Sequence, residues 1–292
     1  MSVSANAVEL TAEQAWFIAD VLNAGSFPWV LAITPPYSDH AARPAAEARL
    51  TAELAELGLI TADGVVNPDV RHWITLTCRP RRWLELRFVS GSGNMLRGHV
   101  GRREDQTIVA LRSGGLVTFT ALEIDHPQAL VPVLTAGLTR RSPATFEEFT
   151  IPARIGARAD EQLRNGATLT EVVDFLGIPV SALPVVEAAY TPSRSYVEIV
   201  AGDHRDGHRV STDVGVSVVD TSAGRILVYP SRAYDGEWVS TFTSGTSLAI
   251  ATAIERLTAT LPDGAWFPQL QLIRDFNLDQ RTEHQRWRHT VH

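Results

Sequence analysis

The sequence predicts an internally duplicated α+β chain whose two halves share one antiparallel β-sheet, with helices at each end. Three observations lead there. An order of three helices, four strands and a further helix is read twice along the chain. Trp83-Leu-Glu-Leu86 lies against Tyr196-Val-Glu-Ile199 at an offset of 113 residues, and residues 108–119 lie against 216–229 with small gaps. No Pro/Gly/Ser-rich linker separates the halves, so a shared sheet is the economical way to bury both sets of strands. The expected boundaries are residues 1–140, 141–268 and a polar, loose tail over 269–292. Two α+β domains strung in line are the alternative reading.

Each element has a local reason. Thr11 and Gln14 have capping-box spacing, and Trp16, Ala19 and Leu22 follow at helical period until Asn23 to Gly25 supply a stop. Residues 27–33 form a short apolar segment, strand or turn, ended by Pro35 and Pro36. A helix over 40–57 is capped by Asp39 and closed by Gly58, and a shorter one over 68–77 starts at Pro68. Strands follow at 83–89, 95–100, 107–112 and 116–122, punctuated by Gly91-Ser-Gly93 and Ser113-Gly-Gly115. After a helix over 127–138, residues 145–152 are irregular or extended. Helices over 153–165 and 168–176 stop at Gly166 and Gly177, and a third covers 181–189. Strands over 196–200, 210–219, 225–229 and 236–243 precede a last helix over 247–261.

Between Val210 and Val218 the side chains alternate. Val210, Thr212, Val214, Val216 and Val218 form one face, while Ser211, Asp213, Gly215 and Ser217 form a small, polar one. That second face is expected to be exposed or covered by a docked partner. The equivalent strand of the first half carries Val109 and Leu111 instead, which assigns the open face to the second half alone.

Composition excludes several function classes. With 26 basic and 33 acidic residues, a net charge of −7 and a pI near 5.7, the chain lacks the basic stripe of a nucleic-acid binder. The single Cys78 excludes a disulfide framework and fits a reducing compartment. No secretory signal opens the sequence and no apolar run reaches the ~20 residues of a membrane helix, so a cytoplasmic protein is expected. Catalytic motifs fail on context. Gly91-Ser-Gly93 leads into a strand rather than a helix, and Asp203-His-Arg-Asp-Gly-His208 reads as a hairpin loop without converging metal ligands. Arginines beside Cys78 would lower its thiol pKa, although a lone Cys beside Leu76 is more often packed. Glu85, Glu198 and Asp213 are the candidate groups of an acidic pocket, the reading to hold if the protein is an enzyme. No cofactor is implied. The tryptophans at 29, 73, 83, 238 and 266 are expected mostly in the core. Phe146, Phe149, Tyr234 and Trp238, near strand ends, are candidate aromatic anchors for a protein partner.

Five segments carry a resemblance: residues 8–16, 27–33, 125–132, 194–200 and 231–242. Together they resemble the EspG proteins, chaperones of ESX (type VII) secretion, over about residues 8–268, and most of all the member serving the ESX system linked to iron and zinc acquisition. The resemblance implies a quasi-two-fold central antiparallel sheet flanked by two α-helical bundles. It also implies a non-enzymatic cytosolic protein that binds the hydrophobic tip of the PPE subunit of a PE–PPE heterodimer, with no membrane or nucleic-acid partner. A structural adaptor of the secretion machinery is the rival, and self-association is left open. The family contacts its partner through the central sheet and the C-terminal half. On this sequence that points to Ser211, Asp213, Gly215 and Ser217, extended by Arg225, Leu227, Tyr229, Ser231 and Arg232, with Leu248, Ile250 and Ile254 as an apolar wall.

Overall fold

Alternation along Arg82–Val89 (β2) sets the architecture. Leu84, Leu86 and Phe88 point to one face, Glu85 and Arg87 to the other. The computed structural model describes residues 6–37, 39–61, 63–90, 95–189, 191, 194–205, 207–262, 264 and 266–267. It pairs β2 antiparallel with Ser195–Arg205 (β7), from Arg82 opposite Asp203 to Val89 opposite Tyr196. Leu86 and Ile199, 113 residues apart, are direct partners in that register.

The sheet grows outward from this seam. On one side lie Met95–Arg103 (β3), Gln106–Ser113 (β4), Leu116–Glu123 (β5) and, at the edge, Ala7–Thr11 (β1). On the other lie Val216–Thr221 (β9), Gly224–Arg232 (β10), Trp238–Ser244 (β11) and the edge strand Phe149–Pro152 (β6). The extra strand His208–Ser211 (β8) folds back on the far end of β7. Counted outward, the sides read β2-β3-β4-β5-β1 and β7-β9-β10-β11-β6, the order that a duplicated unit would produce. All pairings between named strands are antiparallel.

One face, called the inner face below, carries Leu84, Leu86, Phe88, Val100, Val197, Ile199, Val216, Val218 and Leu227. It is closed by Pro127–Leu134 (α4) and Ser247–Thr258 (α8), which pack on each other. Both halves therefore share this core, each fully buried aliphatic side chain contributing roughly 1.5–3 kcal/mol. The outer face carries two helical layers. Ala12–Val21 (α1), Arg43–Glu56 (α2) and Pro68–Cys78 (α3) cover the β1–β5–β4–β3 side. Ala153–Arg164 (α5), Leu169–Leu176 (α6) and Leu183–Ala189 (α7) cover the β9–β11–β6 side, α5 meeting β6 and β11 and α7 meeting β9.

Helix starts follow the sequence signals. The Thr11 hydroxyl accepts from the Gln14 amide at 3.1 Å, and Gln14 Oε1 accepts from the Thr11 amide at 3.0 Å, which orients two otherwise orphan donors. Thr168 and Glu171 make the same box on α6, and Gly177 closes that helix in the left-handed region at φ 64°. Several expectations are corrected. Of the two readings of residues 27–33, strand or turn, the turn-like one holds, as a 3-10 helix over Trp29–Leu31. A strand, β1, precedes α1, and α4 and α8 end several residues early. Trp73, Trp83 and Trp266 are core, but Trp29 is 93% exposed. The 210–219 strand does not exist as one element: β8 ends at Ser211 and β9 begins at Val216. Gly91-Ser-Gly93 and the tail beyond 267 lie outside the described residues.

The middle of β3 holds a buried titratable group. His99 faces α3 between Glu85 on β2 and Ala110 on β4, and among the described residues neither ring nitrogen has a hydrogen-bond partner. Burial, then the nearby Arg209 guanidinium, lowers its pKa to about 3. The folded pKa lies below the unfolded value of 6.5, so the unfolded chain binds the extra proton. Stability is lost as pH falls below about 6.5, by up to about 1.4 kcal/mol per pH unit. Glu85, whose pKa burial raises, acts in the opposite sense further into acid. In urea unfolding at pH 7.5 and 5.5, wild type should lose about 1 kcal/mol more than His99→Leu does over that interval; equal losses would remove His99 as the cause.

Candidate functional site

Two helical layers at opposite ends of the outer face leave its middle open. The register carries one row of outer-face side chains across it: Arg97 on β3, Arg87 on β2, Glu198 on β7, Ser217 on β9, Val228 on β10, Phe242 on β11 and Phe149 on β6. Arg87 and Glu198 are exposed and Ser217 is half-buried. The row thus grades from cationic, through an opposite-charge cross-strand pair and a small hydroxyl, to apolar and aromatic. Its last two members stack, Phe149 on Phe242, with centroids 4.8 Å apart and an interplanar angle of 4°. Phe146 leans on Phe149 at 6.1 Å. We call the strip of this row between the helical layers the valley; its Val228 end packs against the cluster under the second layer.

The two walls are closed unequally. The α1–α3 wall shares a continuous buried cluster with the sheet, including Phe17, Ile18, Leu31, Leu50, Leu54, Trp73 and Phe119. Among the described residues the corresponding cluster under the second wall has Ala144, Val185 and Ile226 as buried members, and Val172, Val173, Ala182 and Ala188 are buried elsewhere in that wall. On that side Phe175 of α6 is 83% exposed and Val180, next in line after the Gly177 cap, 79% exposed. A turn at the end of β10 adds Tyr234, fully exposed, and Arg232 lies over the Trp238 ring at 3.9 Å. Large apolar side chains left this exposed mark a candidate interaction surface; the first half exposes Val21, Trp29, Leu57 and Val65 as well. The sequence signal for Phe175 was available, since it falls off the stripe of Val172 and Val173 that α6 buries. Nothing local signalled Arg87; only the β2–β7 register sets it beside Glu198.

The residues expected to form one open face are distributed differently. Ser217 does face the valley. Ser211 and Asp213 are exposed on β8 and on the bend that follows, held by Thr212, whose amide donates to the Ala201 carbonyl at 2.8 Å. Gly215 is a close-approach position: an added Cβ would lie 2.8 Å from the Ile199 carbonyl oxygen. Arg225, Leu227, Tyr229 and Ser231 point to the opposite, inner face, because the pairing sets Val228 rather than Leu227 beside Ser217. Leu227, Ile250 and Ile254 are buried in the shared core and form no wall for a partner. Of the last helix, Leu248 alone is exposed among the three wall residues, on the inner-face side. Arg232 is exposed beside the aromatic end of the valley.

Arg225 has an interior task. Its Nε and NH2 reach the two Asp220 carboxylate oxygens at 2.7 and 3.0 Å, and NH2 also donates to the Thr139 carbonyl at 2.8 Å. The Thr139 hydroxyl donates to Asp220 at 3.1 Å. The Arg225 carbonyl accepts from the amides of Ala144 and Gly245. One residue therefore ties the loop after α4 to both β9 and the start of α8.

The acidic candidates do not form a shared pocket edge. Glu85 lies 4.0 Å from Arg209, whose guanidinium stacks on Trp83 at 4.5 Å. Glu198 stands opposite Arg87, and Asp213 is on the exposed bend. Burial pushes the Cys78 thiol up to about 12, overcoming the opposing pull of Arg79 and Arg209, so it is an unreactive packed group. Among the described residues no group of three or more His, Cys, Asp or Glu side chains converges as a metal site, and no helix is long and apolar enough to cross a membrane.

Comparison with known proteins places this geometry. A model of the EspG family matches residues 11–256. The chain is 62% identical over 277 residues to the ESX-3 secretion-associated protein EspG3 of Mycolicibacterium smegmatis, covering 95% of this chain and 94% of that one. It is 57% identical to EspG3 of Mycobacterium tuberculosis, covering 95% and 99%. It is 30% identical to the ESX-1 secretion-associated protein EspG1 of M. tuberculosis, covering 89% of each. Among solved structures, the M. tuberculosis type VII secretion system chaperone EspG5, determined in complex with a PE25–PPE41 dimer, matches at TM-score 0.75 and 18% identity. That match covers 89% of this chain and 99% of EspG5, and it shows the same fold.

The reassignment of Arg225 is testable. Arg225→Ala leaves the Asp220 carboxylate buried without its cation and should destabilise by on the order of 3–5 kcal/mol in chemical unfolding. Replacing both partners by apolar residues (Arg225→Met with Asp220→Leu) should recover most of that loss. A single variant within 1 kcal/mol of wild type would return Arg225 to the surface.

Proposed function

The chain belongs to the EspG family, and from that premise we propose that it is a cytoplasmic, non-enzymatic chaperone of ESX-3 secretion that binds the PPE subunit of cognate PE–PPE heterodimers. Three lines support this reading. The two relatives above 50% identity are both ESX-3 secretion-associated proteins. The fold is that of EspG5, a chaperone solved with a PE–PPE dimer. The observation that carries the reading is the outer-face row Arg87–Glu198–Ser217, which passes through Val228 to the stacked Phe242 and Phe149, with Phe175 and Val180 exposed on the second helical layer.

The physics of the task suits such a surface. A helical hairpin with apolar side chains at its tip aggregates when that tip is wet. A valley whose floor is flat β-sheet and whose one wall is apolar can cover the tip, while the charged row selects register and partner. Contact over roughly 800 Å² per partner is enough for a specific complex that can still be released. The assigned contacts are Ser217, Glu198 and Arg87 on the floor, Phe175 and Val180 on the wall, and Arg232 at the aromatic end. Ser211 and Asp213 extend the rim on the bend.

Co-expression with an ESX-3 PE–PPE pair and co-purification tests the placement. Ser217→Arg and Phe175→Asp should each lower the yield of complex by at least about tenfold, equivalent to about 1.4 kcal/mol, while leaving the melting profile unchanged. Leu248→Asp, on the opposite side of the sheet, should retain the complex. If Leu248→Asp abolishes capture and Ser217→Arg does not, the partner binds the inner-face rim instead. A chain that captures no PE–PPE pair overturns the function itself.

A further inference from the structure

A second recess lies apart from the valley and is built entirely from residues 16–35, between the end of α1 and the loop that carries the 3-10 helix. Its volume is about 430 Å³, within the roughly 300–1,000 Å³ of ordinary binding sites. Trp16 and Trp29 border it, with Phe27, Pro28 and Pro35 completing an aromatic and proline lining. Trp29 is 93% exposed although its chain neighbours Val30 and Leu31 are buried. Tyr37 meets Trp16 edge-on at 5.5 Å and fixes that indole.

The backbone around the recess is held rather than loose. Asn23 (φ 47°) and Ala32 (φ 49°) both sit in the left-handed region, which is unfavourable for a residue with a Cβ. Two arginines from other elements hold these positions. Arg79 donates to the carbonyls of Asn23 and Ala24 at 2.7 and 2.8 Å. Arg112 of β4 donates to the carbonyl of Leu31 at 2.7 Å and to that of Ala32. A strained loop clamped at both ends so that it presents a wet tryptophan is a preorganised contact, and none of it is needed by the valley.

We propose that this recess is a second docking site, for an extended, proline-rich peptide segment carrying a basic residue. Flat indole walls stack on pyrrolidine rings. A polyproline II strand has no internal hydrogen bonds, so its carbonyls can accept from indole N–H groups, and its stiffness suits a shallow rigid site. Charge gives the second half of the argument. Asp20 is the only charged side chain among the lining residues; it already shares one oxygen with exposed Arg43 at 3.0 Å, and a ligand guanidinium can join the same carboxylate. A phosphate-bearing nucleotide finds no cation in the lining. An amphipathic helix, about 10 Å across, needs a longer apolar groove than this one.

The test uses the full chain, ¹⁵N-labelled, titrated with a synthetic peptide of eight prolines flanked by arginines while the indole N–H signals of its seven tryptophans are followed; Trp29→Phe assigns the Trp29 signal. Saturable shifts at Trp16 and Trp29 are expected. Trp29→Ala should weaken binding by about tenfold, with its melting profile and PE–PPE capture unchanged, and Asp20→Asn should weaken it severalfold. A glycine–serine peptide with the same arginines, and a proline peptide flanked by glutamates, should bind more weakly. The proposal is overturned by the absence of saturable shifts, by equal binding of the glycine–serine peptide, or by Trp29→Ala binding as wild type. Loss of PE–PPE capture on Trp29→Ala would overturn the separateness of the two sites.

Discussion

The antiparallel seam between Arg82–Val89 and Tyr196–Asp203 is the constraint on which the rest depends. It joins strands from the two halves of the chain, so neither half closes the inner-face core alone. On the inner side the seam contributes Leu84, Leu86, Phe88, Val197, Ile199 and Ala201 to one cluster under α4 and α8. On the outer side the same register sets Arg87 against Glu198 and Glu85 against Val200. A shift of a single residue would send the leucines to the valley and the charges into the core, a change that side-chain period 2 makes all-or-none.

Because the seam is central, the two helical layers fall at the ends of the outer face and leave a floor between them. Among the described residues one layer buries large side chains such as Phe17, Leu50 and Trp73, while the other buries mostly small aliphatic ones and leaves Phe175 and Val180 in solvent. An EspG chaperone of PE–PPE proteins has a use for that inequality, since a fully closed pair of walls would offer no apolar surface to a hydrophobic tip. Arginine has a second use here, as an internal tie. Arg225 pins a loop to two strands, and Arg79 and Arg112 hold carbonyls of the loop that projects Trp29.

Much of the fold was legible because its signals are local. The Thr11–Gln14 and Thr168–Glu171 boxes, Pro68 after Asn67, and the left-handed glycines at 58, 166 and 177 are set within a few residues of themselves. The strand alternation on β2 and β7 was equally plain. The site was legible only in part. Ser217 is expected at the docking face and Glu198 only as part of an acidic pocket, and the alternation of 210–218 runs through a bend, since a period-2 pattern continues across Thr212–Gly215 even where the chain steps from β8 to β9. Arg225 and Leu227 were assigned to the wrong side because which face a strand shows depends on the partner opposite it. Ile250 and Ile254, expected as an apolar wall, have a spacing of four that is equally that of a buried stripe.

By itself the sequence determined the α+β class, most element positions and the family. These rest on short-range propensity, capping chemistry and residue identity. Tertiary structure decided which side of the sheet each strand residue faces, that Trp29 stands in solvent while Trp83 does not, and that Phe175 of the second helical layer stays uncovered. Those outcomes depend on pairings between residues about a hundred positions apart, where no local pattern distinguishes a face that will be covered from one that will stay open.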